Sequence, residues 1–258
     1  MLAQIIEEKQ KRVSKAKEKL PLGVLMDKSK QPQEGRRDFK YAISKRADIN
    51  LIGEIKKASP SRGIIREDFD PEEIAKVYQV SGISAISVLT EEKYFLGSLE
   101  YINKIKHVCS LPILRKDFIV DEYQIYESCY FGADAILLIA DILSEEQMVN
   151  FKEIASSLNM DSLVEIHSEE DLDKAIKAEA DIIGINNRDL HTLKLNLKTS
   201  ENLINLIPKE KIIVIESGIK SNSDFMFFKS LGANAVLIGE AFMEVGDIGA
   251  KVKEVLGG

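Results

Sequence analysis

Five short apolar runs in this chain end in charged or amide side chains at a spacing of two. Leu51-Ile52-Gly53-Glu54-Ile55-Lys56 carries Glu54 and Lys56. Leu114, Lys116 and Phe118 share that spacing, as do Leu163, Glu165 and His167, and then Asn186 and Arg188, while a fifth run ends in Glu216. In an extended strand, residues two apart lie on one face, so Lys57 points away from Glu54 and Lys56. Charges inside strands that are packed on both faces are costly unless a site uses them. Each could be a core ion pair on its own, and it is their convergence at the strand ends that points to a site. Two lysines opposed to three glutamates suit acid and base chemistry. Burial and like-charged neighbours are expected to bring the lysine pKa down and the glutamate pKa up toward neutrality. No G-x-S-x-G and no Cys–His pairing offers a competing nucleophile.

Two later segments look suited to an anion. Glu216-Ser217-Gly218-Ile219 and Gly239-Glu240-Ala241 both read as loops that open helices, where free amides and glycine let a phosphate approach the backbone. A phosphorylated substrate follows, and the absence of G-x-x-x-x-G-K-[ST] removes the usual nucleotide loop. The stretch Ala58-Ser59-Pro60-Ser61-Arg62-Gly63, continued to Pro71, exceeds the usual two to six residues of such a connection and reads as a loop that closes over a ligand. Tyr94, Phe95 and Phe118 add aromatic surface for an aromatic substrate.

These residues need elements to bring them together. From about residue 50, β-branched runs alternate with amphipathic stretches. Strands are expected near 51–56, 83–89, 112–116, 134–139, 162–166, 181–185, 211–215 and 234–238. Helices are expected near 71–81, 98–108, 121–131, 144–158, 168–178, 198–206, 221–230 and 241–255. A joint recurs before alternate strands: Gly82-Ile83-Ser84-Ala85, Gly132-Ala133-Asp134-Ala135, the weaker Glu179-Ala180-Asp181-Ile182 and Gly232-Ala233-Asn234-Ala235. Glycine there supplies the left-handed residue that ends a helix. Equivalent units and a helix after the eighth strand favour closure into a barrel, with an open sheet as the other architecture. Ahead of the barrel, Leu2, Ile5, Ile6, Val13, Ala16 and Leu20 trace one helical face interrupted by Lys9. Pro21 and the polar stretch Asp27 to Arg37 are expected to break that helix, and Phe39 to Ile43 to form a second short helix or lid.

Composition narrows the partners. With 42 acidic and 35 basic residues the net charge is −7, which speaks against a nucleic-acid partner. At 45% hydrophobic and 30% charged the chain has the composition of a globular protein. Its longest apolar run, Ala135 to Ala140, falls far short of the roughly 20 residues that cross a bilayer. The N-terminus has no apolar signal core, so cytoplasmic residence is expected. Cys109 and Cys129 form no C-x-x-C, and His107, His167 and His191 have no metal-ligand spacing, so no metal is expected.

Four segments together resemble the indole-3-glycerol phosphate synthase family: Glu54-Ile55-Lys56-Lys57-Ala58-Ser59-Pro60-Ser61, Leu111-Pro112-Ile113-Leu114-Arg115-Lys116-Asp117-Phe118-Ile119, Gly184-Ile185-Asn186-Asn187-Arg188-Asp189-Leu190 and Glu216-Ser217-Gly218-Ile219. The resemblance implies an α/β protein, a single (β/α)8 TIM barrel over 50–258 with an N-terminal helical extension over 1–49. It also implies cofactor-free conversion of 1-(2-carboxyphenylamino)-1-deoxyribulose 5-phosphate to indole-3-glycerol phosphate. Carried onto matching positions, Lys116 is the general acid and Glu165 its partner base. Lys56, with Glu54 beside it, binds the departing carboxylate or acts as acid in dehydration, and Asn186, Arg188 and Glu216 orient the substrate. Ser59, Ser217, Gly218, Gly239 and the backbone of Glu240 surround the phosphate, while Phe95, Phe118, Leu137, Leu190 and Leu237 contact the substrate. Ala241-Phe242 stands where the family usually has Ser-Leu, and Ile215 where Ala often precedes the glutamate. A small phosphorylated aromatic partner and a monomeric chain are expected, with no nucleic acid and no membrane. Two other readings are a phosphoribosylanthranilate isomerase-like barrel, which would release no carbon dioxide, and a noncatalytic barrel that binds sugar phosphates.

Overall fold

Eight of the apolar runs become parallel strands that close on themselves in a computed structural model describing residues 1–30, 35–44 and 49–258. They are β1 (Asn50–Ile55), β4 (Ala85–Leu89), β5 (Ile113–Lys116), β6 (Ala135–Ile139), β7 (Asp161–Ile166), β8 (Ile182–Asn186), β9 (Ile212–Glu216) and β10 (Ala235–Ile238). Each pairs with its neighbour in sequence, and β1 pairs with both β10 and β4, so the closed barrel replaces the open-sheet alternative. The loop after β1 folds back on itself as a small antiparallel ribbon of β2 (Ala58–Ser59) and β3 (Gly63–Ile64).

Alternation along the strands sorts apolar side chains into two compartments. Ile52, Leu114, Leu163 and Val214 fill the barrel interior. Leu51, Val88, Val164 and Ile215 face the surrounding helices. The recurring joint has its expected conformation: Gly82, Gly132 and Gly232 have φ of 92°, 91° and 93°, and Glu179 takes the same left-handed region at 54° in the weaker copy.

Several helices start on side-chain caps. Asp70 caps α4 (Pro71–Val80), Asp121 caps α6 (Glu122–Phe131), which follows α5 (Glu100–Val108), and Ser144, Ser168 and Ser221 form capping boxes for α7 (Glu145–Ser157), α8 (Glu169–Lys177) and α10 (Asn222–Ser230). Two expected helices are revised. The 198–206 helix is α9 (Lys198–Leu203) with a 3-10 turn after it, and the 241–255 helix is two, α11 (Glu240–Met243) and α12 (Ile248–Leu256). Asp247 accepts a hydrogen bond from the Ala250 amide and starts α12 afresh, so the chain bends at Gly246-Asp247.

Before the barrel lie α1 (Leu2–Lys19), α2 (Leu22–Ser29) and α3 (Phe39–Ile43). Pro21 does end α1, but the polar break expected from Asp27 starts late, because α2 runs through Asp27 to Ser29. Residues 31–34 of that stretch lie outside the described residues. α3 plugs the amino-terminal end of the barrel. Phe39 and Ile43 are fully buried with Ile182, Ile212 and Ala235, the Asn50 side-chain amide donates to the Ile43 carbonyl, and the Lys40 amide donates to Asp161. With that end stopped, the opening lies at the carboxyl ends of the strands. There Leu2 and Ile5 of α1 join the apolar cluster of Phe118 and Leu137.

Candidate active site

At the open end, inward-facing side chains from five strands meet. The Lys116 Nζ at the end of β5 lies 2.9 Å from Glu165 Oε2 on β7 and 2.5 Å from Glu216 Oε2 on β9. Lys56 Nζ, just past β1, lies 2.5 Å from Glu54 Oε1. Asn186 at the end of β8 donates to Glu165 Oε1 at 3.0 Å and accepts from the Arg188 amide at 2.9 Å. Arg188 reaches Glu240 at 3.4 Å, and Lys220 lies 3.7 Å and Arg62 3.8 Å from the same carboxylate.

Two glycines make room for this packing. A β-carbon at Gly184 would collide with Glu216 Oε1 and Leu163, and one at Gly239 would collide with the Glu54 carboxylate. Glycine is therefore required at both positions for close approach of a charged side chain. A third device sits in the loop after β4. The buried Glu91 carboxylate accepts the amides of Lys93, Tyr94 and Phe95 at 2.7 to 3.1 Å, which fixes Phe95 where its ring packs 6.3 Å from that of Phe118.

The residues given roles in the sequence reading, from Glu54 round to Glu240, all line one cavity of about 160 Å³ at this mouth. Pro60 and Ser61 of the loop after β1 also line it, as do Asp117, Ile139, Leu193, Leu195 and Lys220, which were given no role in the sequence. Lys220 had a visible signal, a cation two residues beyond Gly218, whereas Leu193 and Leu195 arrive through a turn with no strand periodicity. His167 does not join them; its ring pairs with the Asn186 carbonyl at 2.7 Å and faces a smaller neighbouring cavity. Tyr94 lies beside the mouth but not in its lining. The expectation that both anion loops open helices holds only for Gly239-Glu240. After β9, Ser217 (φ 69°) and Gly218 (φ 87°) make a left-handed turn four residues before α10 begins at Asn222. Among the described residues, no cluster of His, Cys, Asp and Glu side chains is arranged to hold a metal ion.

A family model described as indole-3-glycerol phosphate synthase matches residues 2–255. Among its relatives, the indole-3-glycerol phosphate synthase of Caldanaerobacter subterraneus subsp. tengcongensis is 51% identical over 260 residues, covering 100% of both chains. That of Acetivibrio thermocellus is 49% identical over 255 residues, covering 98% of each. The chain belongs to the indole-3-glycerol phosphate synthase family. Solved structures share its barrel at low identity. The 3-hexulose-6-phosphate synthase of Salmonella typhimurium has a TM-score of 0.65 at 14% identity, covering 80% of this chain and 96% of its own. A mutant tryptophan synthase alpha-subunit from Pyrococcus furiosus gives 0.62 at 16%, covering 81% and 98%. These likenesses describe the fold alone.

In this indole-3-glycerol phosphate synthase family member the cluster sets its own protonation. Burial works against the Lys116 ammonium, but Glu165, Glu216 and Glu54 outweigh it and drive the pKa well above the ordinary lysine range. The sequence reading expected a lowered lysine pKa. That is corrected, because three carboxylates converge on Lys116 where a like-charged neighbour was anticipated. Glu216 follows the expectation: burial, helped by Glu165 and opposed by Lys116, raises it to about 7. Its buried Oε1 has no hydrogen-bond partner, a position that disfavours a full negative charge. Burial also opposes the charge on Glu54, but Lys56 and then Lys116 hold that carboxyl below its ordinary value.

Proposed function

We propose that these residues carry out the reaction of the family: ring closure, decarboxylation and dehydration of 1-(2-carboxyphenylamino)-1-deoxyribulose 5-phosphate to indole-3-glycerol phosphate. The observation that carries the assignment of roles is Lys116, charged and clamped between Glu165 and Glu216 in a mouth that also holds the Glu54–Lys56 pair.

The ring carbon bearing the carboxylate attacks the ribulose carbonyl carbon, a carbon–carbon bond forms, and the carbonyl oxygen gains negative charge. Lys116 is the general acid that protonates this oxygen. Carbon dioxide leaves, and its bonding electron pair returns to the ring. In dehydration the same oxygen takes a further proton and departs as water, while the methylene carbon next to nitrogen gives up a proton to a base, the role given to Glu165. Lys56, kept beside Glu54, is the cation for the departing carboxylate or the acid of the dehydration step.

Asn186 supports Glu165 by its 3.0 Å hydrogen bond, and Arg188 and Glu216 orient the substrate. The phosphate is assigned to Ser59, Ser217, Gly218, Gly239 and the Glu240 backbone, with Lys220 and Arg62 nearby. The Glu240 side chain, directed to three cations, is kept from repelling a dianion. Phe95, Phe118, Leu137, Leu190 and Leu237 form the apolar wall for the aromatic ring. Incubating the pure protein with the carboxyphenylamino ribulose phosphate and following indole fluorescence and released carbon dioxide tests the reading. A folded sample that yields neither defeats it. Carbon dioxide release separates it from an isomerase.

A cytoplasmic monomer that unfolds as one unit, barrel and extension together, belongs to the same proposal. No helix among the described residues is long and apolar enough to cross a membrane. Sedimentation at one copy's mass and a single unfolding transition are the expected results.

A further inference from the structure

α1 carries a buried charge that packing does not account for. Lys9 lies on the apolar stripe of Leu2, Ile5 and Val13 and is only 2% exposed. A methionine of similar length would fill the same space without desolvating an ammonium. The Lys9 Nζ instead meets Asp117 Oδ1 at 2.8 Å, across 108 positions of sequence, and reaches Glu92 at 3.4 Å.

Asp117 stands between Lys116 and Phe118, and all three line the cavity. Its carboxylate is saturated with donors. Oδ1 accepts Lys9 and the Phe118 amide at 2.8 Å each, and Oδ2 accepts Thr90 Oγ1 at 2.7 Å and the Arg115 guanidinium at 2.9 Å. Arg115 is itself fully buried and tied to Glu127 at 3.0 Å, to Ser128 Oγ at 3.0 Å and to the Gln124 carbonyl at 2.9 Å. Arg12, one turn along α1, adds ion pairs to Glu92 and Glu127. The Asp117 oxygen that Lys9 holds is therefore the one that fixes the peptide leading into Phe118. If that carboxylate turns, the Phe118 amide loses its acceptor, and the backbone there keeps only the Thr90 amide on the Lys116 carbonyl and the Gln124 side chain on the Phe118 carbonyl.

We infer that Lys9 is a positioning residue: through Asp117 it sets the direction of Lys116 and Phe118, so that the N-terminal helix is a working part of the site. The inference rests on the proposed reaction for its kinetic reading, and on the Phe118 amide for a reading independent of it.

The test compares the parent chain with Lys9→Gln, Lys9→Arg and Val13→Ala. Turnover of the carboxyphenylamino ribulose phosphate is measured well below each melting temperature, and hydrogen exchange of the Phe118 amide is measured by NMR without substrate. Lys9→Gln is expected to lower kcat about tenfold or more with KM changed less than about threefold, since misplacement by a fraction of an ångström acts on the reacting groups. Its Phe118 amide exchanges at least about tenfold faster. Lys9→Arg, which keeps the charge in another shape, falls between the two. Val13→Ala loosens the same helix without touching Asp117 and keeps kcat within about twofold. The inference is overturned by a folded Lys9→Gln with parental kcat, by unchanged Phe118 exchange, or by Val13→Ala losing as much kcat as Lys9→Gln. Should Lys9→Gln not fold, Lys9→Arg with parental kcat and exchange overturns it equally. A parent chain without turnover refutes the proposed reaction, and the exchange data still decide the ion pair.

Discussion

Replacing Glu216 with glutamine removes a carboxyl that burial raises to about 7. The magnitude follows from its displacement. The carboxyl moves from an ordinary 4.5 to about 7 in the folded chain, and at about 1.4 kcal/mol per pH unit this corresponds to about 3–4 kcal/mol. The residue is 1% exposed, so solvent screening takes little of that away. The sign is set by a raised folded pKa. The folded chain holds the proton more tightly than the unfolded chain, so the associated stability is complete below about pH 4.5 and lost as pH rises through 7. Glutamine does not titrate. The stability of Glu216→Gln minus that of the parent should therefore grow by about 2–3 kcal/mol between pH 5 and pH 8, whatever constant offset the substitution introduces. Urea unfolding of both proteins at the two pH values measures this difference of differences. If the two stabilities run parallel to within about 0.5 kcal/mol, Glu216 does not take up a proton in this range, and the charge balance drawn for the cluster is wrong.

Other perturbations test neighbouring parts of the argument. Lys116→Ala and Glu165→Gln should each lower turnover by about 10²- to 10⁴-fold, while inhibition by inorganic phosphate changes less than about threefold in steady-state kinetics. Gly239→Ala puts a methyl group against the Glu54 carboxylate. It should cost about 1–3 kcal/mol in urea unfolding and lower kcat, because Glu54 and Lys56 must move together. Asp117→Asn leaves Lys9 and Arg115 short of a carboxylate and should cost about 3–5 kcal/mol at pH 7. Lys9 and Arg115, against the opposing effect of burial, hold Asp117 well below the usual carboxylate range. Its contribution should therefore persist down to about pH 4 and shrink only below that, which unfolding as a function of pH will read.

Residue spacing showed which side chains share a face, and closure of the barrel turned five such faces toward one cavity. Glu54, Lys116, Glu165, Asn186 and Glu216 were legible for that reason: each sits at the inward phase of a strand whose other inward residues are apolar. Contacts made across the fold were not legible. Lys9 reads in sequence as a flaw in an amphipathic stripe, because its partner Asp117 belongs to the outward phase of a strand end more than a hundred residues away. The direction of the Lys116 pKa was misjudged for a related reason, since it depends on how many carboxylates reach one nitrogen. The break between α11 and α12 had its signal in Gly246-Asp247, but an apolar period continuing on both sides concealed it.

Different neighbours give the carboxylates of the cluster different proton affinities. Glu54 is held ionised by Lys56, whereas Glu216, with a bare Oε1 against Gly184, readily takes a proton near neutrality. Under the proposed roles this ordering helps the acid step. An alkoxide formed on ring closure is more basic than any lysine, so Lys116 remains charged until that oxygen appears and then gives up its proton downhill. The neutral amine left between Glu165 and Glu216 is far more basic than Glu216, so a Glu216 that orients the substrate would also be placed to return a proton over the 2.5 Å contact. Glu54, already paired, does not compete for it. The same lysine is then ready for the second protonation that dehydration requires, which would explain why one cation is surrounded by more negative groups than its charge alone needs.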